Sequence, residues 1–401
     1  AVTTCWPTCL RGTPTHRAST LVRFVVREAS RQPLAVPRKS WSPFVGRFSH
    51  SQCQWFTRST GTGFTLGERA LLNPQGLLPF SHGRMQGRCM ANKTWDAIVV
   101  GGSAAGLSAA QMLGRSRRKV LVVDSGSPRN RFAAHMHGIL GQDGTPPGDL
   151  VAKGRRELEQ YDVEIQEGNV TSVSDGGKVV AVTIDGEDSH DARALIVATG
   201  VTDNLPQVQG LAQRWGVTVL HCPYCHGWEV RDQKFGVLTT MPMSMHQAEL
   251  VRQWSDDVTV FTAGAGQIDP GVEQRLLARG VKLVAEPVVE IVGDGEAISA
   301  VRTADGAEYD IEVVFTGGPM TPNDAFLAEL NLDRTDTPVG NFLKVDEFGR
   351  TSHERIWAVG NVSNPMANVP LSMSAGTNGG AFANAILVAE DGQIAVEEGT
   401  A

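Results

Sequence analysis

Residues 95–106 read WDAIVVGGSAAG, and this stretch decides the fold of the chain. Its first part is a short, mostly apolar run with β-branched side chains, which predicts a buried strand. A glycine turn follows, then an alanine-rich helical stretch to about Leu113, then a second apolar run at 119–123 that ends at Asp124. Strand, turn, helix and strand within about 30 residues make a βαβ unit, so the sequence predicts an α/β protein.

The glycine turn has the composition of a dinucleotide-binding turn. Glycine lets the backbone turn tightly and approach a pyrophosphate, and the following helix begins with free N–H groups. Asp124 lies 18 residues after Gly106, near where a carboxylate binds a ribose hydroxyl. A glycine turn of another α/β protein is the alternative, and position alone does not separate FAD from NAD. The predicted cofactor-binding residues here are Gly101, Gly102, Ser103, Ala104, Ala105, Gly106 and Asp124.

A second motif, HCPYCHG at residues 221–227, carries candidate redox chemistry. Two thiols at this spacing can close a disulfide, and a neighbouring imidazole can lower the pKa of one thiol. Three other interpretations stay open: the attachment signature of a c-type haem, a zinc site, and a pair of inert reduced cysteines. We predict a redox-active pair, Cys222 and Cys225, with His226 as base and with no metal.

A second strand–helix–strand unit is predicted at 235–239, 244–254 and 258–261. A nucleotide-binding unit needs a glycine turn after its first strand, but residues 239–246 read TTMPMSMH. Methionine side chains would fill the space that a pyrophosphate must approach, and no arginine directly follows the next strand to bind a 2′-phosphate. The sequence therefore predicts that this second unit has a nucleotide-binding type of fold but does not bind NADPH. The alternative is a divergent NADPH site built from other residues.

Two further segments belong with the first glycine turn. A buried strand at 194–197 and a late strand at 356–359 both end in small residues. We expect a final helix to start near Ser374 or Ala375, so that a strand end and a helix N-terminus together bind the ribityl chain and the edge of a flavin ring. The predicted cofactor-binding residues of these segments are Ala198, Thr199, Gly200, Gly360 and Asn361.

Composition excludes some partners. The chain of 401 residues carries a net charge of −7, which gives no reason to expect nucleic acid or an anionic membrane as a partner.

Residues 1–89 differ from the rest, because they hold twelve basic residues, two acidic ones and four of the six cysteines. We expect this segment to be a disordered or non-native extension, or a targeting segment. It lacks the compact apolar stretch of a secretory signal, so we expect a cytoplasmic protein.

The motifs, in their order along the chain, resemble those of the low-molecular-weight thioredoxin reductases, which are FAD-dependent pyridine nucleotide-disulfide oxidoreductases. The resemblance covers residues 95 to about 395. The matching positions are 101–106, 198–200, 222–225 and 358–361.

The resemblance implies a fold, a cofactor and residue roles. The fold is α/β, with two Rossmann-like domains of the three-layer ββα type, FAD as cofactor, and a homodimer. In that family the residue at Cys225 faces the flavin, and the residue at Cys222 attacks the substrate. The implied domains are a discontinuous FAD domain at 95–207 and 319–398 and, inserted in it, a central domain at 210–318.

The sequence departs from the reductases at the missing glycine turn, at His226, which replaces an acid, and at Asn361, which replaces an aspartate. These departures resemble the dithiol oxidases of the gliotoxin and holomycin pathways, which use oxygen in place of NADPH. We therefore predict an FAD-dependent oxidase of small-molecule or protein dithiols, with His135, His137 and Trp228 as candidate pocket residues. The alternatives are a thioredoxin reductase fed by NADPH or ferredoxin, acting on a thioredoxin-like protein, and a flavin-binding protein without turnover.

Overall fold

The computed structural model of the protein describes residues 93–400, and the predicted extension at 1–89 lies outside them. No helix in the described part is long and apolar enough to cross a membrane. The helices are α1 (Ala104–Arg115), α2 (Pro147–Glu159), α3 (Pro223–His226), α4 (Ser244–Val251), α5 (Pro270–Ala278) and α6 (Val369–Gly399). The strands are β1 (Thr94–Val100), β2 (Val120–Asp124), β3 (Glu164–Glu167), β4 (Val170–Asp175), β5 (Val180–Ile184), β6 (Asp188–Val197), β7 (Val201–Asp203), β8 (Val219–Leu220), β9 (Phe235–Leu238), β10 (Val258–Phe261), β11 (Lys282–Val284), β12 (Val288–Val292), β13 (Ala300–Thr303), β14 (Glu308–Tyr309), β15 (Val313–Thr316), β16 (Met320–Pro322), β17 (Arg334–Thr337), β18 (Gly340–Leu343) and β19 (Ile356–Ala358).

The first sheet has the strand order β3-β2-β1-β6-β5-β4, and β19 also pairs with β6. β3, β2, β1, β6 and β19 are parallel, whereas β5 and β4 continue the sheet in the antiparallel sense. The first half of β6 pairs with β5 and its second half with β19. On one face of the sheet, an apolar cluster includes residues of α1, α2 and α6. On the other face, a second cluster includes residues of β4 and β5 and residues between 327 and 343.

The second sheet has five parallel strands in the order β11-β10-β9-β15-β8. Helix α4 connects β9 to β10, and α5 connects β10 to β11. Two apolar clusters flank this sheet, one with the helices and one with the antiparallel sheet β12-β13-β14. The α/β architecture with two Rossmann-like sheets is therefore confirmed.

The chain passes from the first sheet to the second, and returns, at neighbouring points. Strand β7 leaves the first sheet and strand β16 returns to it, and the two pair with Met320 opposite Asp203. Next to them, the Asn204 N–H donates to the Pro319 carbonyl at 3.0 Å. We call residues 204–319, between these two crossings, the inserted unit.

Helix α6 packs closely on α1, and this contact brings both helices to the same edge of the first sheet. A Cβ added to Gly376 would lie 2.0 Å from the Ala105 carbonyl oxygen, and one added to Gly380 would lie 2.6 Å from that of Ala109. Only a residue without a Cβ permits such an approach of one helix to the backbone of another.

The expected start of the final helix near 374–375 is wrong, because the helix begins at Val369. The Asn368 side chain caps it by accepting from the Leu371 N–H at 3.1 Å, and Pro370 lies in the first turn. An asparagine N-cap followed by proline is a strong start signal. The helix predicted at 244–254 is also shorter than expected, because α4 ends at Val251.

We predict opposite effects for two glycine substitutions in α6. Gly376→Ala should lower the free energy of unfolding by about 1–3 kcal/mol, because the new methyl group overlaps the α1 backbone. Gly392→Ala should raise it by about 0.5–1 kcal/mol, because a Cβ there meets no atom within 4 Å and alanine favours a helix. Chemical denaturation measures both, and equal effects of the two substitutions would contradict the packing described.

Candidate active site

The carboxyl ends of the parallel strands β1, β2, β6 and β19 meet at one edge of the first sheet. The Ala198 N–H donates to the Val100 carbonyl at 2.8 Å, and the Val359 N–H donates to the Val197 carbonyl at 2.9 Å. Every segment predicted to bind the cofactor follows one of these strands. Ligands of open α/β sheets bind outside the carboxyl ends of the strands, so this edge is the candidate cofactor site.

The N-terminus of α1 points its free donors toward this edge. Gly101 has a φ of 105°, and a Cβ there would lie 2.4 Å from the Ala198 carbonyl oxygen. Ser103, the N-cap, makes no capping hydrogen bond with its side chain, and the first turn contains no acidic residue. The first N–H groups of a helix have no partner within it, so those of residues 104–106 are available to an anion.

Asp124 is buried at the end of β2 and accepts from the Gly102 N–H at 2.9 Å. Its other oxygen pairs with the Arg155 guanidinium from α2. Arg155 was not among the predicted residues, because nothing in the local sequence of α2 places it beside β2. The Arg155 Nε and the Thr199 Oγ1 are both buried and lack a hydrogen-bond partner in the described part of the chain. Unpartnered buried donors beside a free helix N-terminus fit the phosphates and sugars of FAD.

The Asn361 side chain orders the loop that leads into α6. Its Nδ2 donates to the carbonyls of Asn364, Pro365 and Ala367 at 3.1, 3.1 and 2.8 Å. An aspartate could not make these bonds, because an ionised carboxylate only accepts. This role explains an amide at the position, and cofactor binding by Asn361 stays a prediction.

The redox motif lies on the short helix α3. Cys222 is its N-cap, Pro223 follows, and Cys222 and Cys225 form a disulfide with a Cα–Cα distance of 5.2 Å. The Cys225 N–H donates to the Cys222 carbonyl at 3.1 Å. Both cysteines are half-buried, so the disulfide is partly accessible from solvent.

Burial lowers the pKa of both histidines of the motif. At His221 the nearby Arg129 cation lowers the pKa further, while Asp203 opposes it. At His226 burial again is the main cause, with Glu229 raising the pKa and His137 lowering it. Both imidazoles are therefore held toward the neutral form, which is the form that accepts a proton.

Among the three candidate pocket residues, the structure brings His137 close to the motif. Its Nε2 lies 3.5 Å from a Glu229 oxygen, and its Nδ1 lies 3.6 Å from an Asp143 oxygen. Trp228 is 65% exposed, with the Arg231 guanidinium 4.2 Å from its ring centroid. His135 is exposed on the same segment as His137. Glu229 was missed by sequence reasoning, although it lies only three residues after His226.

In the turn after β9, which we call the closed turn, a side chain binds the backbone N–H groups. The buried Ser244 hydroxyl accepts from the Thr240 N–H at 3.1 Å and from the Met241 N–H at 3.4 Å. In a nucleotide-binding turn, the backbone N–H groups at this place face the pyrophosphate. Here a side chain of the chain itself takes two of these donors. The sequence analysis identified the absence of glycine in this turn, but it did not predict that Ser244 binds the N–H groups.

Comparison with known proteins now identifies the family, because the model of the pyridine nucleotide-disulphide oxidoreductases matches residues 95–376. The chain belongs to that family. Curated relatives include thioredoxin reductase tcpT of Claviceps purpurea, 30% identical over 74% of this chain and 95% of the relative, and thioredoxin reductase sirT of Leptosphaeria maculans, 31% identical over 72% and 93%.

Solved structures agree with the family. The oxidoreductase from Agrobacterium tumefaciens is 38% identical, with a TM-score of 0.70 over 74% of this chain and 99% of that one. HlmI is also 38% identical, with a TM-score of 0.72 over 76% and 96%. As a member of this family, the chain is a thioredoxin reductase-like oxidoreductase that acts on sulfur groups and binds FAD.

We predict that acid destabilises the protein partly through His221. Its pKa is lowered in the fold, so the unfolded chain binds more protons as the pH falls below about 6.5, and unfolding becomes easier. His221→Gln should therefore reduce the loss of unfolding free energy between about pH 7 and pH 5, whereas His135→Gln, at an exposed site, should not. Urea denaturation at both pH values measures this difference, and an unchanged pH dependence in His221→Gln would contradict the assignment.

Proposed function

We propose that the protein is a dithiol oxidase, which forms a disulfide in its substrate and passes the electrons to oxygen. The observation that carries this proposal is the closed turn after β9, where Ser244 takes the Thr240 and Met241 N–H groups. A pyrophosphate would need those donors, and it would have to displace a buried hydroxyl. A flavoprotein that does not accept hydride from a nicotinamide must exchange electrons with other partners, and the disulfide of Cys222 and Cys225 offers a route from thiols.

The cysteines perform the exchange in two steps. A substrate thiolate attacks the Cys222 sulfur, the bond to Cys225 breaks, and Cys225 leaves as a thiolate. The second substrate thiol then attacks the substrate sulfur of this mixed disulfide, which releases Cys222 and the product disulfide. The substrate has lost two electrons, and the enzyme holds them as two reduced cysteines.

His226 accepts a proton from the attacking substrate thiol. Its lowered pKa keeps the imidazole neutral near neutral pH, so it is ready to act as a base. Glu229 and His137 lie near it and act on its pKa in opposite directions. We include both as neighbours that set the charge around His226.

Bound FAD supplies the two-electron acceptor that returns the cysteines to the disulfide, and oxygen is the terminal acceptor. The residues that would hold FAD are those at the edge of the first sheet, from the α1 N-terminus to Arg155 and Thr199. In balance, a dithiol and O2 give a disulfide and hydrogen peroxide. The substrate is a small-molecule or protein dithiol, and we propose a cytoplasmic homodimer from the resemblance to the reductases.

The second candidate function is an NADPH-dependent thioredoxin reductase. It is favoured by the names of the relatives, such as thioredoxin reductase tcpT and thioredoxin reductase sirT. In this case electrons would run from NADPH through the flavin and then the cysteines to a thioredoxin-like protein. The flavin itself distinguishes the two directions, because its yellow absorbance is lost on reduction.

We predict that NADPH does not bleach the flavin and that a dithiol does. Purified yellow protein is mixed anaerobically with excess NADPH, or with dithiothreitol as a model dithiol, in a stopped-flow spectrometer. The oxidase should lose flavin absorbance only with the dithiol, and admitted oxygen should restore it with formation of hydrogen peroxide. Fast bleaching by NADPH would establish the reductase and overturn the proposal.

We predict that Cys222→Ser abolishes dithiol-driven oxygen consumption, because the remaining Cys225 thiol has no disulfide bond that a substrate thiolate can attack. His226→Gln should lower kcat/KM by about 100-fold, which is typical for loss of a general base. It should also remove the fall of activity on the acid side, whose midpoint in the wild type should lie below the ordinary histidine value of about 6.5. His246→Gln, at an exposed position of α4, is the matched control, and oxygen uptake that survives in Cys222→Ser would refute the scheme.

A further inference from the structure

The chain after β2 forms a compact loop that contacts the redox motif. The Met136 N–H donates to the Thr145 carbonyl at 2.9 Å, and the Gly144 N–H donates to the Met136 carbonyl at 2.8 Å. The Met136 side chain is buried, so it anchors the loop on the protein. We call residues 136–145 the β2 loop. Its residue His137 faces the turn that follows α3.

His137 has a carboxylate on each side of its ring. Its Nδ1 lies 3.6 Å from one Asp143 oxygen, and its Nε2 lies 3.5 Å from a Glu229 oxygen. The other Asp143 oxygen accepts from the Gly138 N–H at 2.9 Å, so this acid is fixed within the β2 loop. Glu229, in contrast, follows α3 in the chain and reaches His137 from the redox motif.

The Glu229 carboxylate acts on a second imidazole, that of His226. The two residues are joined in one turn, because the Glu229 N–H donates to the His226 carbonyl at 3.2 Å. Burial is the main cause of the lowered His226 pKa, while Glu229 raises this pKa and His137 lowers it. One carboxylate is therefore shared by two histidines, one in its own turn and one in the β2 loop.

The other groups around His226 do not replace this carboxylate. His221 faces the motif from the other side, and its pKa is lowered mainly by burial and also by a protonated His226. The two cysteines are joined in the disulfide and carry no charge. Within residues 93–400, the charges that act on His226 in the oxidised protein thus come from Glu229 and His137.

We propose that Glu229 is the carboxylate partner of His226, and that His137 competes with His226 for this carboxylate. When His226 takes the proton of a substrate thiol, Glu229 stabilises the imidazolium that forms, as an aspartate does for the histidine of a hydrolytic triad. Glu229 and His137 are positioning residues, because they act through His226 and not on the sulfur atoms. The catalytic part rests on the proposed function, whereas the sharing of the carboxylate does not.

NMR titration of the histidine rings tests the sharing without any substrate. The protein is FAD-loaded, oxidised and labelled at histidine, and the signal of His226 is the one missing in His226→Gln. Glu229→Gln should lower the His226 pKa, because the imidazolium loses its partner. His137→Gln should raise it, because a competing cation is lost and Glu229 is left to His226 alone.

Asp232→Asn is the matched control, since it removes an acid from an exposed position three residues after Glu229. Asparagine also tolerates the left-handed backbone of this position, where φ is 65°. The control should leave the His226 pKa unchanged, and Glu229→Asp, which keeps the charge, should titrate between the wild type and Glu229→Gln. A wild-type flavin absorbance spectrum shows that each variant is folded.

The two directions decide the proposal. An unchanged His226 titration in folded Glu229→Gln would overturn the partnership. A His226 pKa that stays the same or falls in His137→Gln would overturn the competition. Because the two variants are expected to move the same pKa in opposite directions, general loosening of the site does not imitate the result.

The pH profile of dithiothreitol oxidation tests the catalytic part. The fall of kcat/KM on the acid side should move to lower pH in Glu229→Gln and to higher pH in His137→Gln. Near neutral pH, Glu229→Gln should also be slower by about tenfold, because its base is weaker. If the wild type does not oxidise dithiols, the proposed function fails, while the NMR titration still decides on the shared carboxylate. If dithiols are oxidised but both profiles match the wild type, the catalytic part is wrong.

Discussion

The structure depends on the pairing of β6 with β19, two strands that lie more than 150 residues apart in the sequence. Only three residues of β19 take part, and they add to the second half of β6, whose first half pairs with β5. Closing so long a loop costs conformational entropy, although the cost grows only slowly with length. The close contact of α6 with α1 secures the pairing, because α6 follows β19 and its glycines reach the α1 backbone.

This one pairing places both halves of the candidate site. Gly360 and the start of α6 reach the cofactor edge only because β19 lies beside β6. The inserted unit leaves the sheet after β6 and returns before β19, so its two crossings are neighbours at the same edge. The redox motif, which belongs to the inserted unit, is thereby kept near the segment that follows β2, as the contact of His137 with Glu229 indicates.

Local signals in the sequence predicted the parts of the fold that local energies determine. The buried strand at 95–100, the glycine turn and the helix after it each have the composition that their backbone requires, so the first βαβ unit could be predicted. The start of α6 was wrong because the small residues at 374–376 were interpreted as a helix end. Gly376 is small because α1 lies against it, which is a tertiary reason, while the real start signal at Asn368 was overlooked.

The residues that sequence reasoning missed act across long separations. Arg155 becomes part of the cofactor edge only when α2 packs beside β2, and Glu229 gains its partner His137 only through the fold. Neither has a spacing that a single sequence could reveal. By contrast, the absence of glycine at 239–246 could be recognised from the sequence alone, because it does not depend on any contact made in the fold.

The turn after β9 shows why the loss of glycine has more than one consequence. A glycine-rich turn leaves its backbone N–H groups free, so that they can hold a phosphate. In this turn without glycine, a hydroxyl occupies the N–H groups and a methionine packs on the cluster of Val201, Met320, Val339 and Phe342. The same residues therefore oppose nucleotide binding, because they occupy the N–H groups of the turn and bury part of the turn against residues outside the inserted unit.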